Sequence, residues 1–156
     1  AELVVATEQR SSLPYLESNL SLNRRVHGGR VRARELWWGD DAQVDVLLRE
    51  EACGHGVGLV IGCEITYDRA AYGPHVHTLR RLLLSRPAAD GLPARALLVH
   101  NHESTPSAAR SLASFLALAR QQGLGVAVSQ ASAWGLEPAF CDDSIVVIEL
   151  RIAEDR

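Results

Sequence analysis

Four places in the 156-residue chain carry side chains whose types and spacing could do chemistry. The segment "CEITYD", residues 63–68, sets the Glu64 carboxylate three residues before the Tyr67 phenol. An ionised carboxylate only accepts hydrogen bonds and a phenol both donates and accepts, so the pair could hold and orient a polar reactant. Just upstream, Gly54-His55-Gly56-Val57-Gly58 has the look of a loop that cradles a phosphate. His75-Val-His77 and His100-Asn-His102-Glu103 offer imidazoles that could bind zinc and activate water, as in a metal-dependent hydrolase.

Order along the chain separates these candidates. A phosphate loop works when its glycines follow a strand and open a helix, whose first amides meet the anion. Here the glycines precede an apolar strand at residues 59–63, so they read as a helix exit and turn. On a helix, positions i and i+2 point apart, which separates His75 from His77. No third ligand has convincing spacing, so no metal is assigned. Residues 100–103 read as a polar loop at a strand end.

The elements that must position the remaining groups follow from apolar periodicity. Residues 3–7 form a buried strand, and a helix with Pro14 in its first turn puts Leu13, Leu16 and Leu20 on one face. Gly28-Gly29 marks a turn before a second strand that ends near Trp38. A short helix over 42–51 has Val44, Leu47 and Leu48 as its apolar side, and leads to a third buried strand at 59–63. Tyr72, Val76, Leu79 and Leu83 define a helix over 69–85. "ARALLVH" is a fourth strand, and the helix after it is bounded by Thr105, Pro106 and Gly123. "LGVAVSQ" reads as a connection, and "SIVVIELRI" as two strands that pair antiparallel. The alternation predicts one α/β domain over residues 1–156, Rossmann-like, with a mostly parallel sheet, helices on both faces and an antiparallel pair at the end. Ligands of such sheets sit at the carboxyl ends of the strands. That selects Glu8, Trp37, Trp38, residues 63–67 and residues 100–103.

Composition narrows the function classes. Hydrophobic residues make up 47% and charged residues 22%, as in an ordinary soluble globular domain. A formal charge of -3 speaks against a general nucleic-acid binder. Cys53, Cys63 and Cys141 form no disulfide framework, which predicts a reducing compartment, the cytoplasm first and the nucleus as the alternative. No apolar run approaches the roughly 18 residues of a membrane span. All 16 basic residues are arginine, and the sequence contains no methionine.

Taken together, the carboxyl-end segments resemble the class I (seven-β-strand) S-adenosylmethionine-dependent methyltransferases, in particular the protein-lysine branch marked by an Asp-x-x-Tyr motif. "VVATE" looks like that family's second strand, whose terminal acid binds the ribose, a role that falls on Glu8. "LPYLESNLSLN" is similar to the helix that follows it. "ELWWG" resembles the Leu-Asp-Trp-Gly signature that flanks the adenine, with Trp38 and Gly39 matching and Trp37 replacing the acid. "VIGCEITYD" resembles the fourth-strand motif, with Glu64 on the Asp position and Tyr67 on the Tyr position, and "SIVVIELR" the final strand. The resemblance implies S-adenosylmethionine as cofactor, held by Glu8, Trp38, Gly39 and Cys63. It implies a protein substrate presenting a lysine, with Glu64 and Tyr67 at the reacting amine. Glu64 would either hold the ammonium until its proton leaves or fix the methionine end of the cofactor.

The family's acidic glycine-rich loop and first strand would lie before Ala1. Their absence predicts a fragment of a longer enzyme or a truncated product that survives by binding. It also leaves the second and fourth strands of the family without a common neighbour. A binding-only domain and a metal-dependent hydrolase using the His-x-His segments are the two alternatives.

Overall fold

A computed structural model of the chain describes residues 3–52, 55–66, 68–86, 93–101, 108–135 and 142–153. Tyr67, His102, Glu103 and the helix cap at Thr105-Pro106 lie outside the described residues. β1 (Val4–Glu8), α1 (Leu13–Leu22), the single turn α2 (Arg24–His27) and β2 (Val31–Glu35) come first. They are followed by α3 (Asp41–Glu50), β3 (Leu59–Cys63), α4 (Tyr72–Leu84) and β4 (Arg95–Asn101). α5 (Ala108–Gln121), β5 (Leu124–Gln130) and β6 (Ile145–Ile152) complete the chain, with 3₁₀ turns at Arg69–Ala71 and Ala131–Trp134.

Local chemistry places the boundaries. Pro14 sits in the first turn of α1, where its missing N–H costs nothing. Gly28 and Gly29, at φ +60° and +75°, turn the chain from α2 into β2. The Asp40 carboxylate accepts the Gln43 N–H at 3.0 Å and starts α3. Gly123, at φ +80°, ends α5 in the left-handed conformation that glycine adopts freely.

The strands fall into two sheets. β1 and β2 pair in parallel, with Glu8 opposite Glu35. The second sheet has the order β3-β4-β6-β5, in which β3 and β4 are parallel and β6 is antiparallel to both its neighbours. Among the described residues no strand joins β1 to β3.

Three expectations need correction. "LGVAVSQ" is the strand β5, and "SIVVIELRI" supplies one strand rather than two. β6 is continuous because it is central: Val146, Val147, Ile148 and Leu150 are all buried between two partners. The third correction concerns burial. Leu59 and Ile61 on β3 are 45% and 71% exposed and Val4 on β1 is 46% exposed, so neither strand is buried on both faces. Each sits at a sheet edge, and the alternation along β3 shows one face packed and the other open.

The main core joins α4 and α5 to the β4-β6-β5 face through Val76, Leu79, Phe115, Leu98, Ile148 and Leu150. A smaller one, Leu36, Val44, Leu47 and Leu82, takes Val5 of β1 and Val60 of β3 against it and so links the two sheets.

Gly56 and Gly58 of the glycine cluster are packed against the end of α4, in keeping with a helix exit and turn, while Gly54 lies outside the described residues. A Cβ on Gly56 would overlap the Ser85 carbonyl and Arg86 at the end of α4, and one on Gly58 would overlap the Arg86 guanidinium. Gly56 also stands at φ +66°. Gly56→Ala therefore combines left-handed strain with a backbone clash, and costs about 2 kcal/mol. Urea denaturation measures it, and an unchanged midpoint contradicts this packing.

Candidate functional site

The carboxyl ends of β1 and β2 carry the first group of predicted residues. The Glu8 carbonyl accepts the Leu36 N–H at 3.0 Å, which fixes the end of β1 beside the Trp37-Trp38-Gly39 turn. The Glu8 carboxylate is exposed and accepts the Gln9 N–H at 3.1 Å. Trp37 is 49% exposed, its N–H bound to the Gln43 side chain at 2.7 Å. Trp38 is half-buried and stacks on His75 of α4, ring centroids 4.2 Å apart and planes within 19°. Gly39, at φ +87°, donates its N–H to Thr78 Oγ1 at 2.7 Å and lies so close to Pro74 that a side chain would crowd it.

The second group stands at the ends of β3 and β4. Cys63 is exposed and pairs with Val99 across the strands. Glu64 has φ +53°, a strained left-handed backbone for a residue with a Cβ. Two bonds keep it there: its N–H donates to the Val99 carbonyl at 2.9 Å, and its Oε1 accepts the Asn101 N–H at 2.6 Å. Ile65 folds back over Gly62, where any side chain would overlap it. Thr66 is 1% exposed and shares a 2.8 Å hydrogen bond with Nδ1 of His100, itself 2% exposed. The Thr66 carbonyl accepts the Tyr72 hydroxyl at 2.7 Å. Residues 64–66 are therefore pinned from β4 and from α4 at once.

The first turns of α4 bring the two groups together. Tyr72 holds Thr66, while Pro74, His75 and Thr78 hold Trp38 and Gly39. Phe115 of α5 backs both aromatic contacts, with ring centroids 5.4 Å from Tyr72 and 5.4 Å from His75. Burial among these rings pushes the His75 imidazole down to about 4, because a charge there loses its water. α3 is tied to α4 on the surface, where His77 and Arg81 hold the Asp41 carboxyl below its ordinary value.

Sequence reasoning put Glu8, Trp38, Gly39, Cys63 and Glu64 at strand carboxyl ends; Glu8 ends β1, Trp38 and Gly39 follow β2, and Cys63 and Glu64 stand at the end of β3 in the other sheet. It included Thr66 only as part of residues 63–67, and gave Tyr72, His75 and Thr78 no part in bracing this site. His75 lies three residues after Tyr72 within the apolar spacing of α4, which was a readable sign that it faces inward. The zinc alternative gains no support from the described residues. His75 is buried, His77 is exposed on Asp41, and His100 commits Nδ1 to Thr66.

A mixed α/β fold, with parallel and antiparallel strand pairs and with an acid and an indole at adjacent strand ends, is consistent with the class I methyltransferases. The profile of the lysine methyltransferase family matches residues 1–94, and the chain belongs to that family. No curated protein matches the chain. Among solved structures it is similar to an rRNA-methylase from Clostridium thermocellum. That likeness has a TM-score of 0.54 at 9% identity, covers 100% of this chain and 76% of the other, and concerns the fold.

Proposed function

We propose that the chain belongs to an enzyme that transfers a methyl group from S-adenosylmethionine to a protein lysine. The observation that carries this reading is the bracing of Trp38-Gly39 and residues 64–66 by the same first turns of α4. The residues fit the adenosine half of the cofactor. Glu8 presents an exposed acceptor for two ribose hydroxyls, and Trp38, with one face on His75, has its opposite face for adenine. In this reading Gly39 and Cys63 contribute the remaining cofactor contacts.

The cofactor supplies a methyl carbon on a positive sulfur, so the protein mainly has to orient a neutral amine in line with it. Glu64 spends Oε1 on the Asn101 amide, which aims the carboxylate and leaves Oε2 to hold an arriving ammonium. Glutamate in place of the family's aspartate has the reach to make that cross-strand bond. Tyr67 lines the channel for the lysine stem in this reading.

A thermal melt with saturating S-adenosylmethionine tests cofactor binding, because a ligand specific to the folded state raises the midpoint. Glu8→Ala weakens cofactor binding by about tenfold or more, the worth of charge-assisted hydrogen bonds lost from a carboxylate. Glu64→Gln leaves that affinity intact and lowers transfer, read by mass spectrometry of methylated lysines. A midpoint indifferent to the cofactor supports the second reading, a binding-only domain. One observation favours that rival: the Glu64 carboxylate already has a structural use in joining β3 to β4.

A further inference from the structure

Five of the sixteen arginines, Arg24, Arg25, Arg30, Arg32 and Arg34, fall within residues 24–34, where no acid occurs. The remaining eleven are spread among nineteen acidic residues, so the net charge of -3 conceals one concentrated basic region. Three of the five, Arg24, Arg32 and Arg34, line an open groove of about 410 Å³ between the end of α1, α2 and β2. Residues 31–34 all line this groove, although successive side chains of a strand point to opposite faces. Contact with both parities places the groove along the free edge of β2, which among the described residues pairs with β1 alone.

The groove is braced rather than incidental. The Glu51 carboxylate, its side chain 1% exposed, binds Arg32 at 2.8 Å and also Arg34. One buried carboxylate between two guanidiniums leaves the triad with a net positive charge, and the two arginine side chains remain 52% and 38% exposed. The floor is held by His27, whose Nε2 lies 2.9 Å from the Leu20 carbonyl. Glu17 is the acid on the rim.

We propose that this edge docks an extended acidic segment of a polypeptide partner, which adds as a strand beside β2. Edge amides and carbonyls of β2 recognise a backbone, the Ala33 carbonyl on release of the Arg34 guanidinium that it accepts at 3.0 Å, and flanking guanidiniums recognise its carboxylates. A single-stranded nucleic acid would call for aromatic platforms on which to stack its bases, and the lining residues include none beyond His27, whose ring is engaged. β2 runs from the groove toward Trp37 and Trp38, so a segment docked here leads to the candidate active edge. As a docking site for the methyl acceptor the groove rests on the proposed function; as a binding surface it does not.

The test is fluorescence anisotropy of a labelled peptide of alternating glutamate and valine, measured without cofactor. Arg24→Glu/Arg30→Glu, changed at exposed positions, should weaken binding about tenfold, and so should raising salt from about 50 to about 300 mM. Replacing the peptide's glutamates by glutamine should remove binding, an arm that does not depend on any variant folding. No binding, or binding indifferent to both changes, overturns the proposal. A labelled single-stranded RNA that binds through the same arginines and is not displaced by the acidic peptide overturns it in favour of a nucleic-acid partner. Because the assay omits S-adenosylmethionine, its failure cannot be confused with failure to bind cofactor.

Discussion

Acidification from about pH 7 to about pH 4 weakens the fold by about 3 kcal/mol through His75 alone. The imidazole is 2% exposed, stacked on Trp38 and near Phe115, and its folded pKa is lowered to about 4 from the ordinary 6.5. A histidine with a depressed folded pKa binds fewer protons folded than unfolded. Its contribution is thus fully present above about 6.5 and is lost as the pH falls through 6.5 toward 4. Surface groups titrate over part of this window, so the measurement is a comparison. Urea unfolding of wild type and His75→Phe is followed at several pH values. The variant should show a flatter pH dependence between about 6.5 and about 4. Parallel curves would place the acid sensitivity elsewhere. Since His75 also supports Trp38, cofactor affinity should decline over the same window in wild type and less in the variant.

This dependence was hidden in the sequence for a definite reason. His75 stood out only as half of a His-x-His, and the i, i+2 argument correctly parted it from His77 without saying which ring faced the core. Local patterns served well elsewhere. Pro14 and Gly123 bounded helices, the stripe from Tyr72 to Leu83 located α4, and the glycines before β3 were recognised as packing by their order. The acids and indoles at strand ends were legible because parallel α/β chains put every strand's carboxyl end on one edge. Long-range pairing was not legible. Thr66 and His100 are thirty-four positions apart, and nothing local to either announces the bond between them. β5 was read as a connection although Leu124, Val126 and Val128 alternate along it, and β6 pairs with it over seven residues. The basic groove was missed because net charge averages over the chain, while binding depends on where the charges gather.

Phe115→Ala should cost about 3–5 kcal/mol, the largest loss expected from any single truncation considered. Phe115 is fully buried at the centre of the main core, touching Tyr72 edge-on at 76° and His75 at 32°. Typical domains are stable by only about 5–15 kcal/mol, so this variant could leave little folded protein. Phe115→Leu gives the sharper measurement, because it keeps most of the volume and removes the ring against which Tyr72 and His75 lean. Combined with Tyr72→Phe, which deletes the hydroxyl on the Thr66 carbonyl, it forms a double-mutant cycle. If Phe115 positions the Tyr72 hydroxyl, the two losses are non-additive by about 0.5 kcal/mol or more. Additive losses would mean that residues 64–66 are held from β4 alone, through Val99, His100 and Asn101. In that case α4 would brace only the tryptophan side, and the two halves of the edge would owe their alignment to the smaller core around Val44 and Leu82.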